Sequence, residues 1–239
     1  MADLDPLGQF PNSFMAIAAK LGQSRFYSGE GTGSGSGTYP VFVNSTGATD
    51  SASVFTVALP GSRVTGNLLI LYFKIRSTTN NPTVSAGWTQ VDTFGFSSGT
   101  FRYGAYWRYV TGSETAPTLT WSGGGQGVAV IAQYTGAHAT SPVVVGSKNG
   151  AASGSVTTSA ITSSRNKSIA VSMIWNDVAN AQPTPAGFTD EGTGFYNDVY
   201  GSLRLSDAQM ATIGTSSGAV SASTVSGQWG SLLFEIVPP

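Results

Sequence analysis

One sequence pattern occurs twice in this chain, about 100 residues apart, and it constrains the fold more than any other feature. Residues 82–89 read PTVSAGWT and residues 183–189 read PTPAGFT, so the copies differ in length by one residue inside a turn. Each copy follows an apolar run, at 68–75 in the first case and 169–175 in the second. A repeat over this distance indicates two structurally similar halves, each with roughly four strands.

The two apolar runs are typical of β-strands that are buried on both faces. They are short, nearly continuous and bounded by turn residues, which is the pattern of a fully buried strand. A helix in the first run is disfavoured because Tyr72 and Phe73 are good strand formers and the following Asn81-Pro82 would interrupt a helix. We therefore interpret each run as the central strand of its half.

The sequence predicts an all-β fold for the body of the protein, residues 39–239. We expect a jelly-roll-like sandwich of about eight strands, built from similar halves at about 50–137 and 150–237, because two four-stranded halves can face each other as two sheets. Trp88 and Phe188 occupy matching places after the two turns. Each is expected to close one end of the core rather than to stack on a ligand.

The N-terminal residues 1–28 have a different pattern from the rest of the chain and predict a short helix. A helix of two to three turns is too short to be stable alone, so its apolar face must dock on something. We interpret this segment as an anchor arm, joined to the body by a Gly/Ser-rich spacer at 29–38. The docking residues fall on one helical face, at Phe14, Ile17, Ala18 and Leu21.

The composition excludes several functional classes. Charged residues make up only 10% of the chain and the net charge is −1, so no basic field is available for nucleic acid. The chain has no cysteine, which excludes disulfides and thiolate metal sites. No apolar run approaches the roughly 20 residues needed to cross a membrane, and we expect no membrane insertion. Polarity comes from hydroxyl and amide side chains and 31 glycines, a neutral surface suited to packing against other subunits.

Catalytic and metal-binding patterns are weak, and we expect neither an enzyme nor a bound cofactor or metal. The chain has a single histidine, His138, and no serine lies in a nucleophile motif that would use it. A zinc site would need more histidines. Calcium at Asn176-Asp177 or Asn197-Asp198 stays an alternative, although no calcium-loop spacing is present. A glycosidase would need two carboxylates facing each other across a cleft. The carboxylates available for such a pair are Asp92, Glu114, Asp177, Asp190, Glu191 and Asp198.

An aromatic strand at 100–110 raises a second possibility, which is glycan binding. Sugars stack on aromatic faces, and β-sandwiches commonly carry lectin sites. Alternating aromatic residues in a strand are nevertheless more often part of a core than of a sugar platform. The candidate stacking residues are Tyr103, Tyr106, Trp107 and Tyr109, with Trp175, Tyr196 and Tyr200 as further aromatic faces.

A spaced series of motifs carries a resemblance to a known family. The series is Gly66-Asn67-Leu68-Leu69, then Gly87-Trp88-Thr89, then Tyr106-Trp107-Arg108-Tyr109, and finally Tyr134-Thr135-Gly136. It resembles a β-sandwich domain of bacteriophage virion structural proteins, such as head-decoration and tail-fibre proteins, over about residues 50–237. In that family an Asp is usual where this chain has Asn67.

The resemblance implies a structural role in a virion, either on the capsid exterior as a decoration or head-fibre protein or in the tail fibre or baseplate. It implies partners that are copies of the same chain, as a trimer, and other virion proteins, and it provides no catalytic residues. The alternative is a glycan-binding adhesin or carbohydrate-binding module that recognises a host surface glycan. Localisation in the virion is the expectation that follows.

Overall fold

The computed structural model describes residues 37–77, 80–95, 100–152, 154–178, 182, 184–198, 201–225 and 227–239. The arm predicted at 1–28, with Phe14, Ile17, Ala18 and Leu21, lies outside the described residues, as does most of the spacer at 29–38. Residues Ser36–Pro239 form one compact unit.

The described part of the chain is all-β, as predicted, with antiparallel pairing throughout and no helix. None of its segments is therefore a helix that could cross a membrane. The strands are β1 (Val41–Asp50), β2 (Val54–Thr56), β3 (Leu68–Arg76), β4 (Thr83–Val84), β5 (Thr89–Gly95), β6 (Phe101–Tyr109), β7 (Thr118–Thr120), β8 (Gly127–Thr135), β9 (Val143–Ala151), β10 (Gly154–Thr158), β11 (Ser168–Asn176), β12 (Thr189–Asp198), β13 (Gly201–Met210), β14 (Val220–Val225) and β15 (Trp229–Ile236).

The repeated sequence pattern corresponds to a repeated strand order. The first half, β1 to β8, contains a large sheet ordered β1-β8-β3-β6-β5 and a small sheet ordered β2-β7-β4. The second half, β9 to β15, contains a large sheet ordered β9-β15-β11-β13-β12 and a small sheet of β10 and β14. The central strands β3 and β11 contain the two apolar runs of the sequence. A counterpart of β4 is missing from the described second half, where Pro185 aligns with Val84 and has no N–H to donate.

A backbone hydrogen bond at the start of each central strand repeats as well. Before β3, Gly66 N donates to Val110 O at 2.9 Å, and before β11, Lys167 N donates to Ala211 O at 3.0 Å. Gly66 and Lys167 both have positive φ, 90° and 57°, so the same turn shape is kept although only one of them is a glycine. The two halves therefore share local geometry as well as strand order.

The four sheets form layers. Residues alternate along a strand, so Leu68, Ile70 and Tyr72 of β3 face the other large sheet while Leu69 and Leu71 face the small sheet of their own half. The central core lies between the two large sheets, and each half has its own outer core beneath its small sheet. The prediction of about eight strands in two sheets is therefore wrong in number. Central strands buried on both faces need a cover on each side, and the small sheets provide the outer one.

The two halves pack with the ends of their central strands aligned. Tyr103, which pairs with Lys74 near the end of β3, lies 5.6 Å in ring-centroid distance from Trp175 near the end of β11. We call this the upper end. At the opposite or lower end, where β3 and β11 begin, His138 N in the connection between halves donates to Val237 O at 2.8 Å. The described chain also enters here, because Tyr39 O lies beside Gly136.

All four edge strands of the large sheets contain a register shift. The shifts lie between Phe42 and Asn44 in β1, between Gln90 and Asp92 in β5, between Asp190 and Phe195 in β12, and opposite Leu233/Phe234 in β9. Irregular edges of this kind are poor templates for the addition of a further strand. Association with other chains is therefore expected to use side-chain packing rather than sheet extension.

Trp88 and Phe188 both lie in outer cores, but they are buried to different extents. Phe188 belongs to the second outer core and is 8% exposed, whereas Trp88 is half-buried against the first.

We expect Phe188→Ala to destabilise the protein by about 3–5 kcal/mol, since it leaves a cavity, and Trp88→Ala to destabilise it less. Urea unfolding of both variants tests this, with the exposed-site change Val54→Ala as the control. A larger loss for Trp88→Ala would contradict the assignment.

Candidate functional site

Exposed apolar side chains are concentrated at the lower end. Of the seven large apolar side chains that are exposed in the described part of the chain, six lie there and only Val54 lies elsewhere. Val64 and Ile213 are the most exposed, at 61% and 65%. The other four lie on the lower parts of edge strands β1 and β9, at Val41, Val43, Val144 and Val145. We call these six residues the apolar end surface.

The loop carrying Val64 is held in shape by its own hydrogen bonds. Asn67 N donates to Val64 O at 3.0 Å, and Arg63 Nη1 donates to Pro60 O at 2.7 Å. The chain then enters β3 through Gly66. Val64 is therefore presented to solvent by a fixed turn, and its exposure is a feature of the fold.

The loop carrying Ile213 is held in the same way in the second half. Ile213 N donates to Asn166 Oδ1 at 2.8 Å, which ties the loop after β13 to the loop before β11. The hydroxyls of Thr212 and Thr215 are 2.9 Å apart across the turn. Each half thus contributes one fixed loop with an apolar side chain at the same end of the molecule.

The remaining four exposed valines lie on the edge strands. β1 and β9 occupy corresponding edges of the two large sheets. The register shift in β1 leaves Val43 without a direct partner on β8, so it turns outward. On β9, Val144 and Val145 precede the shift and are also exposed. The apolar end surface is therefore built from corresponding elements of both halves.

Two buried carboxylates fix the loops around this surface. Ser164 N donates to both oxygens of Glu235, at 2.9 and 3.1 Å, and so ties the loop before β11 to β15. In the first half Glu114 accepts from the Thr111 hydroxyl at 2.7 Å, from Gly112 N at 2.8 Å, and from Thr111 N. Desolvation raises the pKa of Glu114, but these hydrogen bonds outweigh it and lower the pKa to about 2.

The aromatic strand does not form a sugar-binding platform from all four predicted residues. Tyr103 is fully buried in the central core, so its ring faces cannot reach a sugar. Trp107 and Tyr109 are half-buried on the same face and meet edge to face at 5.5 Å. Tyr106 lies on the opposite face, 6.0 Å from Phe73 in ring-centroid distance. The strand alternation that was read from the sequence is present, and it divides the four residues between two layers.

The remaining sequence candidates are dispersed. Trp175 is fully buried, and the side chains of Tyr196, Asn197, Asp198 and Tyr200 lie outside the described residues. His138 Nδ1 accepts from Ser141 N at 3.2 Å within its own loop. Asn176 Oδ1 accepts from Val178 N at 2.8 Å.

The candidate carboxylates also lie apart. Asp92 pairs with Lys148 at 2.8 Å across the β5 and β9 edges, Asp190 pairs with Arg204 on neighbouring strands, and Asp177 lies at the upper end, far from Glu114. Among the residues that the structure describes, no three histidine or acidic side chains come together as a metal site.

Sequence reasoning missed the apolar end surface. A single valine or isoleucine in a polar loop, such as Val64 or Ile213, is a weak signal on its own. It becomes meaningful only when the fold brings loops from sequence positions about 150 residues apart to one end. No family model matches this sequence, and no curated protein or solved structure matches it either. We therefore derive a function from the residues of the chain itself.

The loop carboxylate Glu114 gives a pH-dependent prediction. Its pKa is lower in the folded chain than in the unfolded one, so its stabilising effect is present above about pH 4.5 and is lost as pH falls towards 2. We expect the wild type to lose more stability than Glu114→Gln between pH 5 and pH 2, by urea unfolding at each pH. Parallel pH profiles for the two proteins would show that the carboxylate is not held in this way.

Proposed function

We propose that this chain is a structural protein of a bacteriophage virion, and that its apolar end surface packs against neighbouring subunits. The observation that supports this most directly is the concentration of six exposed apolar side chains at one end of the described body. Exposed apolar side chains that gather at one part of an otherwise polar protein are typical of interaction sites. The virion context comes from the motif series around Gly66-Asn67, Gly87-Trp88 and Tyr134-Thr135-Gly136.

The fold supports packing through this end rather than through strand edges. Each edge strand of the large sheets carries a register shift, and Lys148 lies on the β9 edge. Such features discourage strand addition. The loops with Val64 and Ile213 are fixed by hydrogen bonds, so little conformational entropy is lost when a partner covers them.

The charge balance supports an assembly driven by burial. The chain has 11 basic and 12 acidic residues in 239, a low density for a soluble surface. Contacts that depend on apolar burial are weakly sensitive to ionic strength, since salt screens charges and not apolar contact. The proposed interface should therefore persist in high salt.

The place of the chain in the particle follows from the same proposal. The described part of the chain begins at the lower end, where Tyr39 O lies beside Gly136. We propose that the arm at 1–28 docks on a neighbouring subunit, with the body assembled as a trimer. The capsid exterior and the tail fibre or baseplate are the two positions that fit this arrangement.

Glycan binding ranks second. The aromatic strand β6 suggested this function, but Tyr103 lies in the core. The other three aromatic candidates are divided between two faces, with Trp107 and Tyr109 on one and Tyr106 on the other. No continuous aromatic face results from these described side chains. The packing function therefore has the stronger support from geometry.

Charged substitutions in the apolar end surface test the packing function. We expect Val64→Asp and Ile213→Asp each to reduce incorporation into particles by about tenfold or more, because a buried unpaired carboxylate weakens an interface strongly. The amount per particle is measured by quantitative gel analysis of purified virions. Val54→Asp, at the exposed apolar site away from this end, is the matched control and should incorporate normally. Equal incorporation of all three variants would refute the proposed surface.

Removal of the arm tests the docking step separately. Because Ser36–Pro239 is a compact unit, a chain lacking residues 1–28 should keep its thermal unfolding midpoint. The same truncated chain should fail to join the particle when it competes with the full-length chain. Normal incorporation of the truncated chain would show that the arm has no role in assembly.

A further inference from the structure

Lys74 is a lysine buried in the central core, at the upper end of β3. It continues the face of Leu68, Ile70 and Tyr72 that packs against the second half. It is 1% exposed, and its Nζ lies 4.1 Å from the ring centroid of Phe101. Lysine is almost never fully buried unless a partner compensates its charge. An amine in this position therefore needs a physical explanation.

The second half closes over this amine with its backbone. A Cβ added to Gly201 would lie 2.9 Å from Lys74 Nζ and would overlap Asn176 O, so β13 reaches the amine because residue 201 is glycine. The next residue along the chain from Asn176 is Asp177, which is half-buried and whose charge interacts with that of Lys74. The second half therefore encloses the amine on the side of Gly201 and Asn176.

A side-chain hydrogen bond crosses between the halves at the same end. Thr100 Oγ1 donates to Gln228 Oε1 at 3.1 Å, and Gln228 O accepts from Asp177 N at 2.9 Å. Thr100 O in turn accepts from Ser77 N at 3.0 Å. Hydrogen bonds thus connect the residues around Lys74 and Asp177 across both halves. We call Lys74, Ser77, Thr100, Asp177 and Gln228 the upper latch.

The upper latch involves positions that correspond in the two halves but carry different side chains. Arg76 N donates to Gln126 O just as Asp177 N donates to Gln228 O, so Arg76 and Asp177 hold corresponding positions. Their charges are opposite. Lys74 likewise corresponds to Trp175, because both face the central core two residues earlier on their strands. The halves share a fold, but at this end their side chains have become complementary.

The charged groups that face Lys74 act in opposite directions. Burial lowers the pKa of Lys74 to about 7, Asp177 opposes this shift, and Arg76 adds to it. Burial raises the pKa of Asp177, and Lys74 opposes that shift. On the neighbouring strand β6, burial and the charge of Asp177 raise the pKa of Tyr103. The other described neighbours named above, Phe101 and Gly201, are uncharged.

We propose that the upper latch opens by taking up a proton on Lys74, so that the contact between the halves tightens as pH rises above neutral. In the closed form the amine is enclosed by Phe101, Gly201 and the backbone before Asp177. In the open form it is hydrated and carries its ordinary charge. The lower end, with its separate hydrogen bonds and apolar surface, stays packed while the upper end opens.

The sign and size of the pH effect follow from linkage. Lys74 has a pKa of about 7 when closed and the ordinary value of 10.5 when solvated. Between these values opening binds one proton, so the open fraction falls by about tenfold for each unit of rising pH. Below pH 7 both forms carry the proton and the slope vanishes. Solvated tyrosines ionise only near pH 10, which lies above the range from pH 7.5 to pH 9.

Native-state hydrogen exchange of the wild type tests the proposal. The reporters are the amides of Arg76, Ser77 and Asp177, compared with the lower-end amides of Gly66 and Lys167. After correction for intrinsic exchange, the opening constant of the upper reporters should fall about tenfold per unit from pH 7.5 to pH 9. The lower reporters should show no such slope. Equal slopes at both ends, or no slope at the upper end, would overturn the proposal.

Two variants assign the proton to Lys74. Lys74→Met should abolish the slope at the upper reporters, whereas Lys148→Met, at the exposed lysine paired with Asp92, should keep it. The chain has four lysines, so NMR titration of their ε-methylene signals gives an independent reading on the wild type. The wild-type signal that is absent from the spectrum of Lys74→Met belongs to Lys74, and it should titrate near pH 7. If none of the four lysine signals of the wild type titrates near pH 7, the proposal is refuted whether or not the variant folds.

Discussion

The fold depends on the burial of β3 and β11 on both of their faces. Leu68 to Ile75 in β3 and Ile169 to Trp175 in β11 are almost completely shielded from solvent. An antiparallel strand that is apolar on one face needs one neighbouring layer, but a strand that is apolar on both faces needs two. The large sheets provide the shared central core by packing on each other, and the small sheets shield the outer faces. Four layers are the direct consequence of two strands of this composition.

Much of this arrangement could be predicted from the sequence, and the rest depends on long-range packing. The two apolar runs, the turns after them and the alternation along β6 are local patterns, and they predicted the central strands, the all-β class and the faces of Tyr103 and Tyr106. The separation of the shorter strands into small sheets was missed, because a strand such as β2 or β7 has the same local pattern whichever sheet it joins. The position of the small sheets depends on which face of the central strand the other large sheet leaves exposed, and no local sequence pattern shows this.

The candidate surfaces were less predictable for a related reason. Val64 and Ile213 have no common motif, and only the packing of the halves puts their loops at one end. Lys74 lies within the apolar run at 68–75, and the sequence does not show that the second half closes over its amine. In both cases the informative quantity is exposure in the folded chain, which depends on contacts between the two copies of the repeat.

The duplication also explains why the two ends of the molecule differ in character. At the lower end each half contributes a fixed loop and an edge strand that carry exposed apolar side chains. At the upper end Arg76 and Asp177 hold corresponding places but carry opposite charges. Lys74 lies buried at this end, so the carboxylate of Asp177 supports its charge, whereas a second cation at that position would act against it as Arg76 does. The two ends therefore differ because one presents side chains to solvent and the other encloses an ionisable group between the halves.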